Sequence, residues 1–129
     1  MLKSFRLGKF SIVDDSRAAV VASLKAAIEN KSSQKVAFMN SNLYVQSYGT
    51  FLAENLLQDF TLLNDGVAVK ISAAFKGYSV KHNLNGTDLV PELLSRLDKT
   101  SIAIVGGEAS VSLKMEQCLS EEYGHDVVY

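Results

Sequence analysis

The sequence has no tryptophan, one cysteine, one proline and two histidines. A single cysteine rules out an internal disulfide framework and a thiolate zinc cluster, and it suits a reducing cytoplasm. His82 and His125 lie far apart, with no carboxylate or cysteine at ligand spacing. No metal is therefore assigned, and surface or loop positions are expected for both rings. No P-loop or full dinucleotide fingerprint is present, and no cofactor is assigned. The formal net charge is −1, without the basic stripe that a nucleic-acid partner calls for. No apolar run reaches the length of a membrane span. Residues 1–10 carry Lys3, Arg6 and Lys9 and lack the apolar core of a signal peptide. Repeats, low-complexity segments and interdomain linkers are also missing. What remains is a chain of 129 residues, 47% hydrophobic and 21% charged. That suffices for one folded domain with a real core.

The apolar residues follow two periods. Phe5 to Val13 alternates loosely, as an edge strand or hairpin arm would. Asp14-Asp15-Ser16 supplies candidate helix caps before the alanine-rich segment from Arg17 to Asn30, with Val20, Leu24 and Ile28 on one stripe. Lys35 to Met39 is a short apolar strand. Val45, Tyr48, Leu52 and Leu56 then keep helical spacing, with Gly49 allowing one helix or two. Phe60 to Asn64 is the next strand. Val67, Ile71, Ala74 and Phe75 mark a helix that Gly77 stops. Leu89, Leu93 and Leu97 form another helix, with Thr87 or Asp88 as cap and Pro91 in its first turn. Ile102 to Val105 is a β-branched strand. Val111, Met115, Cys118 and Leu119 define a last helix ended by Gly124, before a strand from Asp126 to Tyr129. Apolar strands alternating with amphipathic helices predict a single α/β domain over 1–129. Its architecture is a Rossmann-like parallel sheet with helices on both faces.

In such a sheet ligands bind at the carboxyl ends of the strands. Three strand ends carry polar or glycine-rich turns: Asn40-Ser41-Asn42, Asn64-Asp65-Gly66 and Gly106-Gly107-Glu108. Asp65 suits a helix cap or turn as well as a catalytic carboxylate. Gly106-Gly107 suits a tight strand-to-helix connection as well as a phosphate cradle. Cys118 lies on the apolar stripe of its helix and reads as a buried, inert thiol. Lys35, Lys70, Lys76 and Lys81 read as solvated.

Four segments occur in an order that resembles the WecG/TagA/CpsF glycosyltransferases, also called glycosyltransferase family 26. They are Phe38-Met39-Asn40, Asn64-Asp65-Gly66, Asn85-Gly86-Thr87-Asp88-Leu89 and Ile104-Val105-Gly106-Gly107. The resemblance spans roughly Arg17 to Tyr129 and marks the chain as similar to the N-terminal part of such a catalytic domain. It implies metal-independent, inverting transfer of an N-acetylhexosamine, such as N-acetylmannosamine, from a UDP-sugar. The implied acceptor is an undecaprenyl-pyrophosphate-linked sugar, used for teichoic acid, capsule, exopolysaccharide or a related cell-envelope polymer. The implied general base is Asp65, with Asn64 where the family has proline. The implied substrate-binding residues are Asn40, Asn42, Gly66, Gly86, Asp88, Gly106 and Gly107. Phe38 stands where the family has threonine, and Asn83 falls about where it has arginine. The resemblance also implies further strands and a basic, membrane-associating segment beyond Tyr129.

The expected partners are thus a UDP-sugar donor and a lipid-linked acceptor, with no nucleic acid. The expected place is the cytoplasm, with peripheral contact at the inner face of the membrane. Uncovered apolar helix faces would favour a homo-oligomer. The competing reading is a noncatalytic nucleotide- or sugar-binding α/β module. A flavodoxin-like or receiver-like domain has less support, because neither an acidic pocket with a partnering lysine nor a flavin phosphate loop is present.

Overall fold

Alternation in the first arm builds a hairpin. Strand β1 (Ser4–Leu7) pairs antiparallel with β2 (Phe10–Val13); β1 buries Phe5 and Leu7, and β2 buries Phe10, Ile12 and, at its end, Val13. Helix α1 (Arg17–Glu29) follows, capped by Ser16, whose Oγ accepts from the Ala19 N–H at 3.2 Å. Then come β3 (Val36–Met39), α2 (Ser41–Ser47), α3 (Phe51–Gln58) and β4 (Thr61–Asn64). The segment between α2 and α3 turns at Gly49, so two helices form rather than one. Helix α4 (Val67–Phe75) ends at Gly77, whose positive φ closes the last turn. Helix α5 (Gly86–Arg96) begins earlier than its apolar stripe suggests. Its starting turn is held by Asn85, whose Oδ1 accepts from the Asp88 N–H at 3.0 Å. Pro91 therefore sits in the second turn rather than the first. Strand β5 (Ser101–Ala103), helix α6 (Ala109–Glu121) and strand β6 (Asp126–Val128) complete the order. This computed structural model describes residues 1–128; Tyr129, which the sequence assigns to the last strand, lies outside the described residues.

The protein is a Rossmann-like α/β fold, and its chain divides into two compact units, Met1–Glu92 and Leu93–Tyr129. In the first, a four-stranded sheet runs β1-β2-β4-β3. Strands β2, β4 and β3 are parallel, and only β1 is antiparallel, as a hairpin requires. The hairpin is thus an integral part of the sheet rather than an appended arm. Phe10, Ile12, Met39 and Leu62 face one side, where Leu57 of α3 and Val69 and Ala73 of α4 cover them. On the other side Phe38 packs against the start of α5, and α1 reaches α5 through Arg17, whose Nε lies 2.7 Å from Glu92 Oε2. Helices therefore flank both faces of this sheet. In the second unit β5 pairs parallel with β6, beside α6.

Helical periodicity misidentified several inward faces. Val67, Ile71 and Phe75 of α4 point outward, and the buried residues are Val69 and Ala73. Val45, Tyr48, Leu52 and Leu56 are likewise exposed. The reason is compositional. The sequence of α4 is apolar nearly all round, so spacing alone cannot select the face that meets the sheet.

Candidate active site

The parallel register brings three strand ends to one edge. Val13 lies beside Leu63, and Met39 beside Asn64. Asp14, Asp65 and Asn40 follow these residues directly in the chain. The Asp65 N–H donates to Met39 O at 3.1 Å, so the ladder continues one step beyond β4. Gly66 then turns at φ 97° and ψ 164°, a conformation essentially reserved for glycine, and α4 begins at Val67. This sharp turn leaves Asp65 half-buried at the rim. Its carboxylate makes no hydrogen bond or ion pair among the described residues.

Asp14 behaves in the opposite way. It is 4% exposed and binds residues far along the chain. Its carboxylate accepts from the N–H groups of Lys81 and His82, from Tyr78 Oη at 3.2 Å, and contacts His82 Nδ1 at 3.2 Å. Burial pushes its pKa up, but these bonds together outweigh burial and hold it below the ordinary aspartate value. Asp14 is thus an anchor for the irregular segment of residues 78–85. Asn64 anchors the same segment from β4: its Nδ2 donates to His82 O at 2.6 Å, and its own carbonyl accepts from the Leu84 N–H. The two anchors draw this strap across the sheet edge.

Between the strap and the start of α4 lies a hollow of about 190 Å³. Asn64, Gly66, Lys70, Lys81, His82 and Asn83 line it, with Val67 and Val80. Asn83 accepts from the Gly66 N–H through Oδ1 at 3.3 Å. Lys70 and Lys81, read from sequence as merely solvated, supply cations to this hollow. His82 lies partly covered beside Asp14.

The remaining sequence-predicted residues fall as follows. Asn40 caps α2, its Oδ1 accepting from the Leu43 N–H at 2.9 Å, and Asn42 accepts from Gln46 Nε2 at 3.0 Å. Both are exposed near Asp65's edge. Gly86 meets the Phe38 ring: a Cβ there would come within 3.3 Å of it. Phe38 therefore uses the space that this glycine leaves. The Asp88 carboxylate lies 3.5 Å from Arg17 Nη1, which gives it a partner on α1. Gly106 and Gly107 belong to the second unit. There they border that unit's own hollow of about 420 Å³, with Ile104, Ser112, Glu116 and Val127.

His125 corrects the sequence reading, and Cys118 keeps its inert character though it is less buried than expected. His125, expected at the surface, is 2% exposed. Its Nδ1 accepts from the Thr100 N–H at 3.4 Å and its Nε2 lies 3.0 Å from Leu94 O, which assigns the proton to Nε2. Cys118 is partly buried. Burial, and then Glu122 at 3.5 Å, push its thiol up, away from nucleophilic use. Asp14 was overlooked because its partners lie more than sixty residues away. Its position directly after an apolar strand was the available signal.

No helix among the described residues is long and apolar enough to cross a membrane. The sequence profile described as the glycosyl transferase WecG/TagA/CpsF family matches residues 5–129. No curated protein matches the chain significantly.

Proposed function

This chain belongs to the WecG/TagA/CpsF glycosyltransferase family, whose work is cell-surface polysaccharide synthesis. From that premise we propose that it takes part in inverting transfer of an N-acetylhexosamine from a UDP-sugar to a lipid-linked sugar, with Asp65 as general base. The single observation that carries this reading is the placement of Asp65. Its carboxylate is half-buried, unpaired and held at a parallel-strand terminus, next to a hollow lined by two lysines.

The chemistry follows from that placement. Asp65 takes the proton of an acceptor hydroxyl as that oxygen attacks the anomeric carbon of the donor sugar. The new C–O bond forms while the bond from the anomeric carbon to the β-phosphate oxygen breaks. The UDP leaves with the electron pair, and one displacement inverts the anomeric centre. Lone pairs and N–H groups of Asn40 and Asn42 orient sugar hydroxyls. Gly106 and Gly107, in the second unit, are assigned by themselves to a phosphate-binding turn before α6. We assign Gly66 and Gly86 to backbone shape near the substrate, and Asp88, tied to Arg17, to holding the start of α5.

The test is transfer from UDP-N-acetylmannosamine or UDP-N-acetylglucosamine to a lipid-diphosphate sugar analogue. Wild type transfers, while Asp65→Asn binds UDP and does not transfer. UDP binding without transfer to any acceptor would instead assign a noncatalytic binding module.

A further inference from the structure

Helices α2, α3 and α4 form one layer on one side of the four-stranded sheet. Leu43 of α2, Leu57 of α3 and Val69 and Ala73 of α4 join the same cluster as Phe10, Ile12, Met39 and Leu62. The four strands span roughly 15 Å, room for about two helices side by side at about 10 Å spacing. These helices are therefore neighbours, and their outer faces make one surface.

That surface is not built for water. Leu52 and Leu56 form an outward ridge on α3, and Val67, Ile71 and Phe75 a second on α4, each at i, i+4 spacing. With Phe51, these side chains are between 52% and 88% exposed. The outer side of α4 is completed by Ala68 and Ala74, so it carries no charge. Together the six large side chains expose roughly 800 Å², at about 150–250 Å² for each one if fully bared. The largest apolar patch on a monomer is about 300–600 Å², whereas a stable dimer covers about 800 Å² on each partner.

Charge selects the occupant. A lipid-docking face gathers lysines and arginines around its apolar centre. Residues 41–76, which build this layer, hold Glu54, Asp59 and Asp65 against only Lys70 and Lys76, so no basic cluster draws an anionic membrane. Nor does the face present charge of one sign to a partner of the other. An uncharged face lets two identical surfaces meet without repulsion, and the cores of homodimer interfaces are depleted of charge in this way.

We propose that the α3–α4 face is the interface of a twofold dimer with a second copy of this chain, anchored by Leu52, Leu56, Ile71 and Phe75. The dimer is independent of the role given to Asp65.

The test is sedimentation velocity of the full chain from about 1 to about 100 μM, with a dimer Kd of about 10 μM or tighter expected. Leu52→Glu on α3 and Ile71→Glu on α4 each raise that Kd by at least about 100-fold, because each sets like charges against one another across the twofold. Leu113→Glu, at an exposed apolar position of the second unit, leaves it unchanged. Wild-type NMR gives the same reading without a mutation: the Ile71 methyl signals shift with protein concentration and those of Leu113 do not. A wild type still monomeric at about 100 μM overturns the proposal. So does a dimer that survives both Leu52→Glu and Ile71→Glu, or one broken by Leu113→Glu instead. Monomers that sediment with phosphatidylglycerol vesicles, and lose that binding in Ile71→Glu, would assign the face to a lipid surface and overturn it too.

Discussion

The two units are built from the same alternation of short strands and helices, yet they bury it very differently. In Met1–Glu92, strands and helices share a core that runs from Phe5 to Leu89. In Leu93–Tyr129, only Leu119 and His125 are buried among the described residues, and Val105, Val111, Leu113 and Met115 are exposed. Alternation therefore specifies element type, whereas rigidity depends on how many apolar faces find a cover. The unit with the larger core also holds the buried anchors Asp14 and Asn64, and it presents Asp65. Fixed carboxylates need such a base, since catalytic geometry is held by packing around it.

The sharpest way to break this contrast is a matched pair of truncations. Leu63→Ala, at a fully buried position in β4, is expected to cost about 3 kcal/mol. Leu113→Ala, on the exposed side of α6, is expected to cost less than about 0.5 kcal/mol. Urea unfolding of both variants checks this, and equal losses would erase the distinction. Next in size is Asp14→Ala, which leaves the Lys81 and His82 N–H groups without an acceptor and is expected to cost about 2–3 kcal/mol. The pH dependence gives the same anchor a second signature. The folded pKa of Asp14 lies below its unfolded value, so its contribution is complete above about pH 5. It is lost as pH falls through the ordinary aspartate value near about 4 to the lower folded one. Denaturation midpoints of wild type and Asp14→Asn should therefore converge in acid.

Gly66→Ala forces a side chain into a conformation at φ 97°, and about 2 kcal/mol of strain is expected. A Cβ there would meet nothing within 4 Å, so the whole cost is conformational. A crystal structure of the variant should show the turn rearranged and Asp65 displaced. A smaller effect than that of Gly66→Ala is expected from His125→Phe. It removes the contacts to Thr100 and Leu94 at a cost of about 1 kcal/mol, seen as faster amide exchange at Thr100 and across β5–β6. Exchange in β4 should stay unchanged, because local opening there involves a different core.

Much of the first unit was legible in the sequence, for a physical reason. Short β-branched or apolar runs, such as those ending at Met39 and Asn64, stop at polar turns, and these mark strand ends wherever the strands pair. The position of Asp65 at such an end was legible too. The partner of Asp14 was not, because a hydrogen bond to a loop more than sixty residues on leaves no local pattern. The buried faces of α3 and α4 were also hidden, since Phe51, Leu52, Leu56 and Leu57, like Val67, Val69 and Ile71, spread apolar groups round the helix. Lys70 and Lys81 looked like ordinary surface charges. Only the strap, held from both sides by Asp14 and Asn64, brings them to one hollow.

The most direct measurement is single-turnover transfer from a UDP-N-acetylhexosamine to a lipid-diphosphate sugar analogue, comparing wild type with Asp65→Asn and Asp88→Asn. With Asp65 as base, Asp65→Asn lowers the rate by about 10²–10⁴-fold with UDP affinity retained, and Asp88→Asn lowers it far less. Turnover in Asp65→Asn equal to wild type would contradict the account.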